Sequence, residues 1–198
     1  MTEQSRPPTA PPSGALYDEW LVVLVKQGDR RAMERLYTRW HSRLARAALR
    51  YTGDAELARD LVQDCWVGIF KGIGKLRDPA RFRSYAFAVL HRRGADYVRG
   101  AMRERASASA QDVETAPDHA TPAIQDETIA LQQAFTALPP DQRLAAHLHF
   151  VEGLTLREIA DVQQIATGTA KSRLFHARRK LKAALADTTP EPTTGDTV

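Results

Sequence analysis

The chain has 198 residues, 43% of them hydrophobic, which allows one medium-sized domain or two small ones, each with a modest core. Its formal net charge of +4 and pI near 9.4 admit a polyanionic partner without requiring one. The single cysteine, Cys65, excludes an intrachain disulfide and a multi-cysteine zinc site, and no run approaches the ~20 apolar residues of a membrane span. We therefore expect a cytoplasmic protein without membrane insertion.

The N-terminal half of the sequence has helical periodicity after a Pro-, Ser- and Thr-rich stretch, residues 1–14, that we expect to be disordered. A first short helix should end at Gly28, with Asp29 capping the second. The second helix should bury apolar residues spaced three and four apart. These residues are Met33, Leu36, Tyr37, Trp40, Leu44, Ala47, Ala48 and Tyr51.

The third predicted helix, about residues 55–76, has two distinct sides, and a fourth helix follows over about residues 81–105. One side of the third helix is apolar and should face the core. It consists of Val62, Trp66, Ile69, Ile73 and Leu76. The other side is polar and should be exposed. It consists of Asp60, Gln63 and Asp64 with the neighbouring Val67.

An acidic stretch separates this half from the C-terminal half. From Ser107 to Glu127 there are five acids and no Lys or Arg, which predicts a flexible linker over residues 105–126. Two small helical domains should flank it, residues 15–104 and 127–186, before a disordered tail, residues 187–198. The C-terminal domain should contain four short helices. In one of them Leu144, Leu148 and Val151 should share a face before Gly153 ends the helix.

A helix-turn-helix pattern closes the second domain. Thr155 and Glu158 form a Ser/Thr-x-x-Glu capping box before a short apolar helix. A turn around residues 162–166 follows, after which Thr167 can cap a long basic helix. This order of short helix, tight turn and long helix is typical of DNA-binding domains.

The long basic helix divides into sectors when its residues are placed at 100° intervals. Ala170, Leu174, Ala177 and Leu181 form a narrow sector that should face the core. Ser172, Phe175, His176 and Arg179 point the other way, and Lys171, Arg173 and Arg178 lie on the flanks. Flanking cations can contact phosphates while the central face meets base edges. A basic helix with a merely solvated face is the alternative, and the capping box and turn argue against it.

Two motifs in the correct order resemble a known family. The segment "EGLTLREIADVQQIATGTAKSRLFHARRKL" is similar to the minus-35-binding domain of bacterial sigma-70 family sigma factors of the extracytoplasmic-function (ECF) group. Upstream, "DLVQDCWVGIF" resembles the family's Asp-x-x-Gln-Glu-x-Phe helix, which docks on the clamp of core RNA polymerase. The resemblance extends over almost all of residues 16–186. It implies an all-α protein of two small helical domains, the second a helix-turn-helix, without a cofactor.

The resemblance also implies partners and functional residues. Core polymerase, through the clamp of its largest subunit and its flap, should be bound, with Asp60, Gln63, Asp64 and Val67 on the clamp-docking surface. Asp64 stands where the family usually has Glu, and Trp66 where it has a Phe-like residue. The minus-35 element should be contacted by the basic helix. Its expected DNA-binding residues are Lys171, Ser172, Arg173, Phe175, His176, Arg178 and Arg179. An anti-sigma factor is a further expected partner.

Minus-10 DNA should be bound by the loop "LRDPAR" and the outer face of the fourth helix, where the family flips a base out of strand-separated DNA. The expected contacts are Arg77, Arg81, Arg92, Asp96, Arg99 and Arg103, and the helix also offers Tyr85 and His91. Tyr85 could equally belong to the core. Arg92 stands where many members have Asn, so the minus-10 sequence recognised here should differ from the commonest one.

The linker is long enough for both promoter elements to be bound at once. Elements about 17 base pairs apart lie ~58 Å apart at ~3.4 Å per base pair. About 23 extended residues between the domains could span ~75 to 83 Å.

Two other classes of function compete with this interpretation. A helix-turn-helix regulator that binds duplex DNA alone would not need the polymerase-docking helix. An enzyme could use Cys65 as a nucleophile, or His147 and His149 as metal ligands. Cys65 lies among apolar residues, which favours a buried structural thiol, and histidines two apart on a helix point in different directions. We therefore predict an initiation factor that leaves the chemistry to the polymerase.

Overall fold

The computed structural model describes residues 13–108 and 133–186. Almost all of the predicted disordered N-terminus, most of the predicted linker and the whole predicted tail lie outside these residues. The described residues are helical without strands, which confirms the all-α prediction. None of their helices is both long and apolar enough to cross a bilayer.

Four long helices form the N-terminal half and three form the C-terminal half. The N-terminal helices are α1 (Ser13–Lys26), α2 (Arg30–Thr52), α3 (Ala55–Gly72) and α4 (Phe82–Ala108). Two 3₁₀ turns, Ile73–Lys75 and Pro79–Arg81, connect α3 to α4. The C-terminal helices are α5 (Pro140–Phe150), α6 (Leu156–Gln163) and α7 (Thr167–Ala186). Residues 133–136 are also helical.

Aspartate caps define where α2 and α3 begin. The Asp29 carboxylate accepts hydrogen bonds from the backbone N–H groups of Arg31 and Ala32 at 2.8 and 3.0 Å. Asp54 does the same at the start of α3. Each cap satisfies backbone donors that have no partner within the helix. The predicted role of Asp29 is confirmed.

Gly53 ends α2 and also admits a side chain from the other half of the molecule. Its φ of 74° is left-handed, and its N–H donates to the Leu49 carbonyl. A Cβ at this position would lie 2.7 Å from a guanidinium nitrogen of Arg143. Another nitrogen of that group donates to the Tyr51 carbonyl at 3.1 Å. Glycine therefore suits both the turn and the approach of Arg143.

The core of the N-terminal half is rich in aromatic residues. Trp40 is buried and meets Phe82 and Phe87 edge-on, with centroid distances of 5.1 and 6.0 Å. The predicted apolar stripe of α2 is buried except for half-buried Met33 and for Tyr37, which is 41% exposed. The prediction was wrong for Tyr37, because its ring lies against Trp66 at the outer border between α2 and α3.

The C-terminal half has a core of Leu and Ala side chains. The four predicted core residues of α7 are all buried. They are Ala170, Leu174, Ala177 and Leu181. Leu144 and Leu148 of α5 are also buried, but Val151 is 59% exposed, so the prediction that it shares their face was wrong. The reason is that α5 ends at Phe150 and the chain turns away through Gly153, whose φ is 69°.

The two halves pack against each other along two helix pairs, α2 with α5 and α4 with α6. Leu154, Ile159 and Val162 from the C-terminal half are buried in the same apolar cluster as the core of the N-terminal half. A smaller cluster lies within the C-terminal half. The first helix of the helix-turn-helix is therefore placed directly on α4.

Candidate polymerase and nucleic-acid interfaces

The helix-turn-helix is built from the predicted capping box and a left-handed turn residue. The Thr155 hydroxyl accepts from the Glu158 N–H at 3.2 Å, and the Thr155 N–H donates to the Glu158 carboxylate at 2.8 Å. Gln164, with a φ of 53°, ends α6. The Ala170 N–H bonds to the Ala166 carbonyl, so Ala166 precedes the first turn of α7. The predicted capping position of Thr167 was wrong by one residue.

The outer face of α7 is exposed as its periodicity predicts. Ser172, His176 and Arg179 are exposed, and the Phe175 ring is 62% exposed. This ring lies 5.6 Å from that of His176. The ring lies outside the packing seam and is accessible for contact.

The flanks of α7 differ from each other. Lys171 and Arg178 are exposed, whereas the side chain of Arg173 is only 22% exposed. The Arg173 guanidinium donates to the Gln163 amide oxygen at 2.7 Å and pairs with the Asp141 carboxylate at 2.8 Å. Of the predicted phosphate contacts on this helix, Arg173 is thus already bound to an acid.

The predicted polymerase-docking surface lies together on α3. Asp60, Gln63 and Val67 are exposed, and Asp64 is half-buried. The Asp64 carboxylate accepts a hydrogen bond from the Tyr97 hydroxyl at 2.8 Å. This bond, with a smaller effect of burial, raises the pKa of Tyr97 to about 12. Tyr97 holds the acid in place. The two residues are 33 positions apart, so the sequence alone carries no sign of this contact.

The loop expected to accept a minus-10 base borders a pocket between the two halves. Asp78 organises this loop by accepting from the Ala80 N–H at 3.0 Å. The pocket is lined by Leu76, Arg77, Asp78, Arg81, Ser84, Tyr85 and Ala88, and on its far side by Asp161 and Val162 of α6. Tyr85 is half-buried and donates to the Ile69 carbonyl at 3.2 Å. It therefore links α4 to α3 while bordering the pocket.

The cations predicted to contact minus-10 DNA are exposed, but not all are available. Arg77, Arg92 and Arg103 lie on the surface. Arg99 pairs with Asp96 one turn away on α4. Arg81 pairs across the pocket with Asp161 at 3.1 Å.

Asp141 joins three helices at what we name the Asp141 junction, comprising Asp141, Tyr51, His91 and Arg173. The carboxylate lies 3.2 Å from His91 Nε2 on α4 and accepts from the Tyr51 hydroxyl at 3.3 Å, besides pairing with Arg173. The hydrogen bond with His91 is the main reason that the pKa of Asp141 lies below its usual value, and Arg173 adds to it. His91 is only 16% exposed. Its predicted place on the outer face was therefore wrong, since Asp141 of α5 and the Tyr51 ring of α2 lie against it.

Further acids of the C-terminal half pair with arginines of the N-terminal half. Glu152 accepts from Arg43 at 2.9 Å, and Glu158 accepts from Arg83 at 3.0 Å. Burial opposes the ionisation of both acids. It is outweighed at Glu152 by His147 and Arg43, and at Glu158 by Thr155 and Arg83, so both pKa values lie below the usual range. We name Asp141, Glu152, Glu158 and Asp161 the acidic cover.

The residues considered for enzyme chemistry have structural environments. Cys65 is fully buried, and burial raises the pKa of its thiol to about 12, which leaves it as an unreactive thiol. His147 is buried near Glu152, and His149 contacts the Leu154 carbonyl at 2.9 Å. Within the described ranges, no three His, Cys, Asp or Glu side chains are grouped to hold a metal ion.

Two family models match the chain, one in each half. The model described as Sigma-70 region 2 matches residues 36–104, and Sigma-70, region 4 matches residues 128–181. The first contains α3 and the greater part of α4, and the second contains the helix-turn-helix. A regulator that consists of a helix-turn-helix with an unrelated partner domain is not favoured by this pair of matches.

Curated relatives extend the similarity over most of the chain. The ECF RNA polymerase sigma factor SigM of Mycobacterium tuberculosis is 30% identical over 168 residues, covering 85% of this chain and 84% of that protein. The RNA polymerase sigma-H factor of Pseudomonas aeruginosa is 28% identical over 180 residues, covering 85% and 93%. The chain therefore belongs to the sigma-70 family of RNA polymerase sigma factors, in the ECF group. It is an initiation factor that directs RNA polymerase to promoters.

Solved structures share the fold. The sigma factor RpoE of Bartonella quintana, solved with the anti-sigma factor NepR, has a TM-score of 0.62 at 24% identity, covering 77% of this chain and 96% of that one. CnrH, solved with the cytosolic domain of CnrY, has a TM-score of 0.60 at 24% identity, covering 87% and 99%.

Proposed function

We propose that three surfaces divide the work of initiation within this chain. The polar face of α3 docks on core polymerase, the loop at residues 76–81 with α4 binds the minus-10 element, and the outer face of α7 binds the minus-35 element. The first two surfaces belong to a domain spanning residues 15–104 and the third to one spanning residues 127–186. The observation that carries this proposal is that one chain presents both an exposed docking face on α3 and an exposed recognition face on α7.

The docking surface offers charge and a small apolar contact to the polymerase clamp. Asp60 and Asp64 supply negative charge, Gln63 supplies an amide, and Val67, 49% exposed, follows them on the same helix. Tyr97 fixes the Asp64 carboxylate, which lowers the entropy lost when the acid meets a cation on the partner.

Minus-35 recognition follows from the sectors of α7. Lys171, Arg178 and, once released from Asp141, Arg173 contact phosphates and set the register of the helix in the major groove. The central face contacts base edges, with Arg179 and His176 as hydrogen-bonding groups and the Phe175 ring as an apolar contact. Ser172 lies on the same face.

Minus-10 binding uses the loop between α3 and α4. Arg77 and Arg81 stand at the loop, and Arg92, Arg99 and Arg103 continue along α4, with Asp96 among them. A flipped base needs a pocket whose contacts offset a few kcal/mol of unstacking. The pocket beside Tyr85 borders this loop, which supports this role.

Catalysis of RNA synthesis belongs to the polymerase in this proposal. The chain acts in the cytoplasm, associated with the nucleoid. An anti-sigma factor is a further partner, supported by the neighbour RpoE, which was solved with one.

The direct experiment is run-off transcription with purified core polymerase and a promoter library, with and without the protein. We expect initiation at a defined set of promoters only when the protein is present. If core polymerase gains no promoter specificity while the protein alone binds duplex sites tightly, the stand-alone regulator is the correct function.

Two sets of variants separate the surfaces. Asp64→Arg should abolish association with core polymerase, measured by co-purification, while DNA contacts remain. Tyr97→Phe removes the hydrogen bond that orients Asp64 but keeps the acid, so it should weaken this association much less than Asp64→Arg. Arg179→Ala with His176→Ala should reduce transcription selectively at promoters that depend on a minus-35 element, with core binding intact.

A further inference from the structure

A cavity between α2 and α5 carries a concentration of positive charge that the proposed function does not use. Its volume of about 310 Å³ lies at the lower end of the range for small-molecule sites. Three arginines line it, Arg46 and Arg50 of α2 and Arg143 of α5. None of its described lining residues is assigned to polymerase or promoter binding. The cavity is therefore a separate candidate site.

The positive charge of this cavity is not balanced by acids within the described ranges. Arg46 and Arg50 lie one helical turn apart on α2, where like charges repel each other. Neither forms an ion pair with another residue of residues 13–108 and 133–186, and no described carboxylate lines the cavity. Glu152, which follows the cavity residue Val151, is bound by Arg43 at 2.9 Å instead. A bound anion would remove the repulsion.

Two of the three guanidinium groups are held in place at the cavity. Arg143 is buried and donates to the Tyr51 carbonyl at 3.1 Å. The Arg50 guanidinium lies over the Phe135 ring, 4.8 Å from its centroid. Guanidinium groups bind phosphate oxygens through paired hydrogen bonds, and groups that are already ordered lose less entropy when they bind. Arg46 is exposed, so its side chain can turn toward a ligand from the solvent side.

Apolar side chains accompany these arginines. Leu49 of α2 and Val151 after α5 line the cavity and are 47% and 59% exposed, and the half-buried Phe135 ring lines it too. Small-molecule sites combine an apolar lining with a few polar groups that fix the ligand. Three cations require a ligand with several negative charges, which a chain of two or three phosphates supplies. The apolar side chains require a flat apolar part, which a nucleotide base supplies.

We propose that this cavity binds a nucleoside di- or triphosphate, with the phosphates on the three arginines and the base against the apolar side chains. The ligand contacts both halves of the molecule, since α2 and α5 each contribute arginine. None of the described lining residues is an acid that could hold a metal ion, so the arginines themselves neutralise the phosphates. The site does not depend on the assignment of the three surfaces to polymerase and promoter.

Calorimetric titration of the full chain tests the ligand class, with ATP, GTP, inorganic triphosphate and adenosine as probes and without divalent metal. We expect saturable binding of ATP or GTP at a single site. Inorganic triphosphate should bind about fivefold more weakly, because it lacks the base. Adenosine should bind at least about tenfold more weakly, because it lacks the charge. Failure of both nucleotides to bind would overturn the site, and equal affinity for inorganic triphosphate would overturn its assignment to a nucleotide.

Arginine variants test the position of the site, and circular dichroism checks that each is folded. Arg46→Gln with Arg50→Gln should lower the affinity for the tighter-binding nucleotide at least about tenfold, because charged hydrogen bonds are lost. Arg46→Gln alone, at an exposed position, should lower it about fivefold.

Arg35→Gln is the matched control, because it removes an exposed arginine of α2 roughly 16 Å along the helix from Arg46. Arg178→Gln on α7 tests whether the nucleotide uses the DNA surface instead. Both should bind the nucleotide as the wild type does. A loss in either as large as that of the double variant, or no loss in the double variant, would overturn the site. These outcomes are independent of promoter-specific transcription, which tests the proposed function.

Discussion

The basic surfaces of α4 and α7 have similar compositions but different surroundings. On α7 the cations Lys171, Arg178 and Arg179 extend into solvent. Around the start of α4, Arg81 and Arg83 each face a carboxylate from the other half of the chain. The number of basic residues in a segment therefore does not measure the charge available to a nucleic acid. Availability depends on which acids the fold places opposite them.

The largest loss of stability should follow when the apolar contact that holds α6 on α4 is weakened. Ile159→Ala removes a fully buried side chain and should lower the free energy of unfolding by ~2–5 kcal/mol. Denaturant titration measures the loss. Val151→Ala, at an exposed position of the same half, should change stability by less than ~0.5 kcal/mol. Similar losses in the two variants would mean that Ile159 does not support the contact.

Low pH should have the next largest effect, because it weakens the ion pairs between the two halves. The pKa values of Asp141, Glu152 and Glu158 lie below their usual range, so the folded state favours the ionised carboxylates. Their contribution is complete above the ordinary carboxyl pKa near ~4 and is lost as the pH falls through the lowered values. The thermal unfolding midpoint should therefore drop between about pH 5 and 3. Asp141→Asn should have the shallower dependence, and parallel curves would contradict the role of this acid.

The salt dependence of DNA binding should distinguish the exposed basic face of α7 from the arginines at the start of α4, which face carboxylates. Arg178→Gln should reduce the slope of log affinity against log salt for duplex minus-35 DNA by about 1, because one phosphate contact is lost. Arg81→Gln should leave the slope of the free protein unchanged, since Arg81 is paired with Asp161 and lies on the other surface. Fluorescence anisotropy over a salt series provides both slopes. An equal reduction in the two variants would show that Arg81 also contacts this duplex.

The smallest effect on stability should come from the exposed pair at the edge of the pocket. The side chains of Arg81 and Asp161 are 63% and 51% exposed, so their attraction is screened by water. Asp161→Asn should lower the free energy of unfolding by ~0–1 kcal/mol. A loss as large as that of Ile159→Ala would mean that this pair, and not the apolar contact, holds the halves together.

Local features of the sequence predicted local features of the fold. The Asp29 cap, the capping box of Thr155 and Glu158, the buried seam of α7 and the buried thiol of Cys65 are confirmed, because each depends on residues within a few positions or on helical periodicity. Tyr37, Val151 and His91 were placed wrongly. Tyr37 lies at the border between α2 and α3, and Val151 follows the last residue of α5. Asp141 and Tyr51 lie against His91.

The contact between the halves could not be predicted from the sequence. The partners of Asp141 in the N-terminal half, Tyr51 and His91, are 90 and 50 positions away, and no periodicity relates residues so far apart. The sequence predicted a DNA phosphate as the partner of Arg173. Helical periodicity places this residue on a flank of α7 but does not indicate that it pairs with Asp141. The roles of the polymerase-docking and DNA-binding residues stay predictions.

Gly53 has a role in both halves of the molecule. The residue that ends α2 is also the opening through which Arg143 reaches the Tyr51 carbonyl. Any side chain there would strain the left-handed turn, and the Arg143 guanidinium would have to shift to make room, so one substitution would act on a helix end and on a contact 90 positions downstream. Gly53 is therefore an interface residue as well as a helix end, and work on either half by itself should keep this glycine.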